Sequence, residues 1–220
     1  MKCARLWYKK TGAAIYISHL DLNRAFQRAV IRADIPLWYT EGFNPHAYMT
    51  FPAPLPLGQE GMREPVDIRL TEDLPCEQVQ ARLNLTMPEG IVIADATEPI
   101  KKANDIAFAK YSILCDFLNE NDCFSFAQSA REIISSGNLP ADKKSKSGIK
   151  QVNLLDFIKD ISFESRKKEL FISCILSCGC RENLNPALLL DTLFEKCGIF
   201  SDFTKITREK LLLCDGSDFE

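Results

Sequence analysis

The chain has 220 residues, 46% apolar, 26% charged and 10% aromatic, which is the composition of a folded protein and too apolar for a disordered one. Lys and Arg number 27 against 30 Asp and Glu, a net charge of −3, so a globally basic nucleic-acid binder is excluded and a local basic patch is not. No apolar run approaches the roughly 18 residues of a membrane span, and no apolar stretch follows Met1–Tyr8 as an export signal would require.

Nine cysteines, an odd number at scattered spacing, read as reduced thiols in a cytoplasm rather than a disulfide framework. No phosphate loop, dinucleotide fingerprint or nucleophile elbow occurs. With only His19 and His46, no metal site and no cofactor are expected. The nearest approach to a cluster motif is Cys174-x-x-x-Cys178-x-Cys180, one residue short of the spacing that binds a 4Fe–4S cluster. In an extended segment these cysteines share a face with Ile172 and Leu176, as small core hydrophobes would.

Residues 3–9 alternate as a strand does, Lys10-Thr11-Gly12 turns, and Ala14–Ile17 reads as a short returning strand. Ser18 and Asp21 have capping-box spacing, and Leu22, Phe26, Ala29, Val30 and Ala33 recur at helical spacing until Pro36. Strand-like pieces follow at Leu37–Thr40, Tyr48–Phe51 and Val66–Leu70, then a helix over Thr71–Leu85 and a strand at Ile91–Ala94. The second half repeats the order: strand Ala107–Phe117, helix Asn121–Ser135, and a polar Lys-rich stretch Ala141–Lys150. Strands near Ile149–Asn153 and Glu169–Ser177, a helix from Asn185-Pro186 to Lys196, and a last strand within Phe203–Cys214 complete it. Each half is β-α-β-β-α-β, so the expected fold is α+β. It comprises two tandem ferredoxin-like units with antiparallel sheets, residues 1–100 and 106–220.

Residues 1–50 hold seven bases against three acids, although the whole chain is acidic. On a 100° helical wheel Arg24, Arg28 and Arg32 form a stripe about 80° wide, opposite the apolar face. Such a stripe is either a solvated face, with Asp21 pairing Arg24, or an oxyanion-contacting surface. His19 falls away from the stripe, beside Phe26 and Val30, in the first helical turn where a helix dipole favours neutral imidazole. Glu41-Gly42-Phe43-Asn44-Pro45-His46 is dense in turn formers, and Phe43 and Asn44 are placed either to plug the fold or to meet a planar ligand. Lys143, Lys144, Lys146 and Lys150 form a second basic segment.

Across Ile17-Ser18-His19-Leu20-Asp21, the three spaced arginines, Thr40–Pro45 and Leu55–Gly58, the sequence resembles the radical-SAM-associated family. Weaker matches follow at Lys143–Val152, Asn185-Pro186 and Thr207-Arg208, with Asn153 and Asn185 departing from the Asp and Arg usual in the family. The resemblance implies a radical SAM enzyme, fused or encoded nearby, as partner, and RNA as a context. It establishes no activity. The expected function is therefore an accessory protein of a radical SAM system that contacts tRNA or rRNA through the basic helix, the Gly42–His46 loop and the lysine segment. Two alternatives stand beside it: a metal-independent endoribonuclease using His19 or His46, and a protein-docking module for the enzyme.

Overall fold

Alternation along Lys2–Lys10 (β1) sends Ala4, Leu6 and Tyr8 to one face of a sheet and Arg5 and Trp7 to the other, all of them buried. The computed structural model describes residues 2–145, 148–179 and 182–220. It is a mixed α+β structure with mainly antiparallel pairing, and the chain divides into two compact units. The first contains residues 1–106 and 208–220, and the second residues 107–207.

In the first unit His19–Arg32 (α1) follows β1, then Met49–Thr50 (β2), Glu60–Leu70 (β3), Cys76–Asn84 (α2) and Ile91–Thr97 (β4). β1 lies between β3 and β4, antiparallel to both, and β2 pairs antiparallel with the end of β3. Gly12–Tyr16 is a 3₁₀ turn, not the returning strand expected from Ala14–Ile17. The cause is local: Gly12 takes φ +58 and Ile17 N–H bonds back to the Ala14 carbonyl, closing a turn where a strand would extend. The expected cap forms, with Ser18 Oγ accepting from Asp21 N–H at 3.1 Å. Leu22, Phe26, Ala29 and Val30 of α1 pack with Val79 and Leu83 of α2 on Leu6, Val66, Ile68 and Ile93. On the opposite face Arg5 is fully buried and fully occupied, by Asp67 at 2.7 Å, the carbonyls of Lys101 and Glu220, and the Phe219 ring.

The second unit comprises Phe108–Asp116 (β5), Glu120–Ser135 (α3), Pro140–Ser145 (β6), Gly148–Asn153 (β7), Ile158–Arg166 (β8), Glu169–Ser177 (β9) and Pro186–Cys197 (α4). The last strand, Phe203–Leu212 (β10), starts in this unit and ends in the first. β9 lies between β5 and β8, antiparallel to both. The polar Lys-rich stretch lies in a hairpin, β6–β7, paired from Pro140↔Asn153 to Ser145↔Gly148 and separate from the main sheet. The strand expected near Ile149–Asn153 therefore belongs to this hairpin. The sheet strand is β8, whose outward Asp160, Ser162, Glu164 and Arg166 hide its half-buried side from a hydropathy reading. Tyr111, Ile113, Ile172 and Leu176 are buried on one sheet face, with Phe126 of α3 stacked on Phe194 of α4 at 4.9 Å. Asn185 caps α4 and Gly198, at φ +66, ends it.

Candidate functional site

Two structures meet at the start of α1. One is the helix surface; the other is a buried polar cluster beneath it. Tyr8 and Glu64 stand directly opposite one another on β1 and β3, on the sheet face that α1 covers. Glu64 forms a bidentate pair with Arg208, both side chains buried, and Arg208 Nε donates at 2.8 Å while its Nη2 also donates to the Ala53 carbonyl. Gly61 makes room for this carboxylate, since a Cβ there would lie 2.4 Å from Glu64 Cγ. Lys10 is buried nearby, its Nζ donating to the Ile17 carbonyl at 3.2 Å. Burial lowers the Lys10 pKa, opposed by Glu64, and burial raises that of Tyr8.

His19 is exposed at the first residue of α1, edge-on to Phe51 at 5.0 Å. Partial burial, and then the positive charge of Lys10, hold its pKa below 6.5, so the imidazole is neutral at neutral pH. His46 is tied into its own turn: Nδ1 lies 3.0 Å from Thr40 Oγ1 and 3.2 Å from the Asn44 carbonyl, and its N–H bonds Thr40 Oγ1. That histidine staples the loop.

The arginine stripe divides in use. Arg24 pairs with Asp21 at 3.3 Å, both exposed, and Arg32 donates to the Thr86 carbonyl at 2.7 Å, fastening the end of α1 to the turn after α2. Arg28 is exposed. On the same outward side Leu20 is 59% and Ile31 66% exposed, and Tyr16, just before the helix, is 72% exposed. Leu57 is also exposed, and the next residue, Gly58, bonds through its N–H to the Ile15 carbonyl at 2.9 Å.

The 40–46 loop leaves the sheet edge on a rigid base. Arg69 lies over both Trp38 (5.0 Å) and Tyr48 (4.3 Å), and Tyr39 bridges Ala47. Tyr48 is thereby occupied, while Phe43 at the tip is fully exposed, with Asn44 also exposed. Phe43 does not plug the core.

The lysine segment is in the second unit and the arginines in the first. Lys143 lies over the Phe157 ring at 4.0 Å, and burial lowers its pKa against the opposing pull of Glu182. Lys150 is exposed and directly opposite Lys143 in the hairpin. Lys144 is paired with Ile149, and Lys146 lies outside the described residues, as does Cys180. Cys174 and Cys178 are buried, and burial pushes the Cys174 thiol up to about 12. Among the described residues no group of three or more His, Cys, Asp or Glu is placed to hold a metal ion, and no helix is long and apolar enough to cross a membrane.

The Glu64–Arg208 pair and Arg69 were not singled out as site residues from the sequence. Only the Thr207-Arg208 match hinted at the former, because partners 144 positions apart leave no local spacing signal.

Among solved structures, the chain is similar to an unknown protein from Galdieria sulphuraria (8% identity, 94% of this chain and 98% of that one, TM-score 0.28). It is also similar to a dye-decolorizing protein from V. cholerae (12% identity, 94% and 91%, TM-score 0.21). Neither likeness, at those scores, carries an argument about fold or function. No curated protein matches the chain. A family model described as "Uncharacterized protein conserved in bacteria (DUF2344)" matches residues 4–186, from β1 to the first residue of α4. The match spans well over half of the sequence, and the protein belongs to this conserved bacterial family.

Proposed function

We propose that the protein is a non-catalytic accessory component of a radical SAM system in the cytoplasm, and that its first unit docks the enzyme through the outward face of α1. The observation that carries this reading is the seam of Leu20, Arg24 and Ile31, one helical face on which exposed aliphatic side chains flank an arginine. Arg and large apolar groups are what protein interfaces concentrate, whereas phosphate-binding surfaces combine several uncommitted cations. Here Arg32 is engaged with Thr86 and Arg24 with Asp21. The acid–base alternative keeps one of its two histidines: His46 is a loop staple, with Lys10 spent on Ile17 and Arg208 on Glu64, whereas His19 is exposed and held neutral.

The ferredoxin-like reading of each unit draws support from the strand neighbours. In the first, β1 between β3 and β4 with β2 on β3 is the order that a split β-α-β arrangement demands. In the second, β5 and β9 adjoin with β8 outside β9, and the β6–β7 hairpin reads as an insertion.

A second reading, RNA contact, rests on Phe43, whose fully exposed ring on a braced loop suits base stacking. The test is binding of the radical SAM enzyme encoded nearby. Leu20→Glu/Ile31→Glu, at exposed positions, is expected to weaken the complex at least about tenfold without unfolding the protein. Equal affinity of the double variant overturns the docking face. Salt-dependent tRNA binding lost in Phe43→Ala, with no enzyme bound, transfers the conclusion to the second reading.

A further inference from the structure

The second unit carries a feature that the docking face does not explain. On the sheet face turned away from the buried residues, Ser112 of β5 stands opposite Ser173 of β9, which stands opposite Ser162 of β8. Three of the smallest polar side chains thus form one row across three strands, roughly 4.8 Å apart in the pairing direction. Taller rows border it: Leu114, Phe171 and Glu164 on one side, and Lys110, Ile175 and Asp160 on the other. The result is a trough of 320 Å³ lined by the serines, Phe171, Leu114 and Glu164, with Lys205 and Thr207 of β10 at one end.

Stability alone does not ask for this row. Strand positions favour β-branched and aromatic residues over serine. Among the described residues the hydrogen bond made by these hydroxyls is a long one, Ser162 Oγ to the Ser173 carbonyl at 3.5 Å, and those of Ser112 and Ser173 face the trough unspent. Charge at the trough is balanced: Lys205 stands at one end and Glu164 at the other, the latter paired with Arg166 at 2.8 Å. A strongly anionic ligand therefore finds no concentrated positive field. What the walls offer is a set of hydroxyls that both donate and accept, with the ring of Phe171 beside them, 37% exposed and bearing the Arg166 guanidinium at 5.3 Å.

We propose that this trough binds a ribonucleoside, free or as one residue of an RNA, with its sugar hydroxyls on the serine row and its base against Phe171 and Leu114. The volume is at the lower end of small-molecule sites, so it takes one such unit and not an oligomer. Base recognition by an aromatic side chain on an open sheet face, with hydroxyl contacts to ribose, is a general mode of nucleoside and RNA binding. This inference does not depend on the docking face, which belongs to the other unit.

The experiment titrates adenosine, uridine and, separately, ribose into the full chain, followed by NMR amide shifts. Adenosine and uridine are expected to saturate near about 100 µM, with shifts in β5, β8 and β9, and ribose to bind at least about tenfold more weakly. Ser173→Val keeps strand propensity and fills the trough, and is expected to weaken nucleoside binding at least about tenfold at unchanged thermal midpoint. Should that variant prove less stable, Phe171→Ala, at an exposed position, reads the same loss. Failure to saturate at about 10 mM, ribose binding as well as the nucleosides, or parental affinity in both variants overturns the proposal.

Discussion

Replacing Glu64 by Gln removes the charge that compensates Arg208 and leaves a guanidinium buried beside Lys10 in the first unit. Both partners of the pair are at most 2% exposed, so solvent screens little of the loss. Deleting one member of a buried ion pair costs about 3–5 kcal/mol, whereas replacing both by apolar groups of similar volume is close to neutral. The expectation is a loss in that range for Glu64→Gln and for Arg208→Met. Glu64→Met/Arg208→Met should fall well short of the sum of the corresponding single losses, although the Ala53 carbonyl then loses its donor. Both tryptophans of the chain, Trp7 and Trp38, lie in the first unit, so tryptophan fluorescence during urea unfolding follows that unit selectively. With a slope of about 1.5 kcal/mol per molar urea, each single variant lowers the midpoint by about 2–3 M. A Glu64→Met/Arg208→Met cycle whose losses simply add, with coupling under about 0.5 kcal/mol, would refute the reasoning.

Two further outcomes follow from local geometry. His19 should titrate below 6.5 by NMR; because burial is the larger cause and Lys10 the smaller, Phe51→Ala should restore it further than Lys10→Met. The depressed value means that His19 contributes stability present above pH 6.5 and lost as the pH falls through its folded pKa, so a folded pKa above 6.5 contradicts the assignment. Gly90, at φ +83, would place a Cβ 2.5 Å from the Thr11 carbonyl oxygen, so Gly90→Ala should cost about 2–4 kcal/mol by urea unfolding. Gly58→Ala, at φ +79 with open space around it, should cost only about 1 kcal/mol, and equal losses would remove the steric part of the argument.

Elements governed by local rules were legible in the sequence. The α1 cap at Ser18, the Asn185-Pro186 start of α4 and its stop at Gly198 each depend on residues within one turn of one another. β8 was not legible, because its outward charges and the bulge between Ile158 and Asp160 break the alternation that marks a half-buried strand. Of the β6–β7 hairpin, β7 was expected near Ile149–Asn153 and β6 was missed: its lysines suggest solvated chain, and its pairing supplies the order that composition withholds. The arginine stripe follows from the helix period, but the use made of Arg32 depends on Thr86, 54 positions away. The serine trough was invisible to any single-strand reading, since it exists only in the register of three strands.

The passage of β10 back into the first unit has a consequence for synthesis. A ribosome makes residues 107–207 in full before it makes Arg208, the partner of Glu64, or Phe219, which covers Arg5 and Trp7. The unit that comes second in the chain therefore needs nothing made after residue 207, while the earlier one waits with a buried-to-be carboxylate and a tryptophan still open to water. Factors that guard nascent chains would meet that surface, and a released chain truncated after residue 207 should show the first unit sensitive to protease and the second resistant.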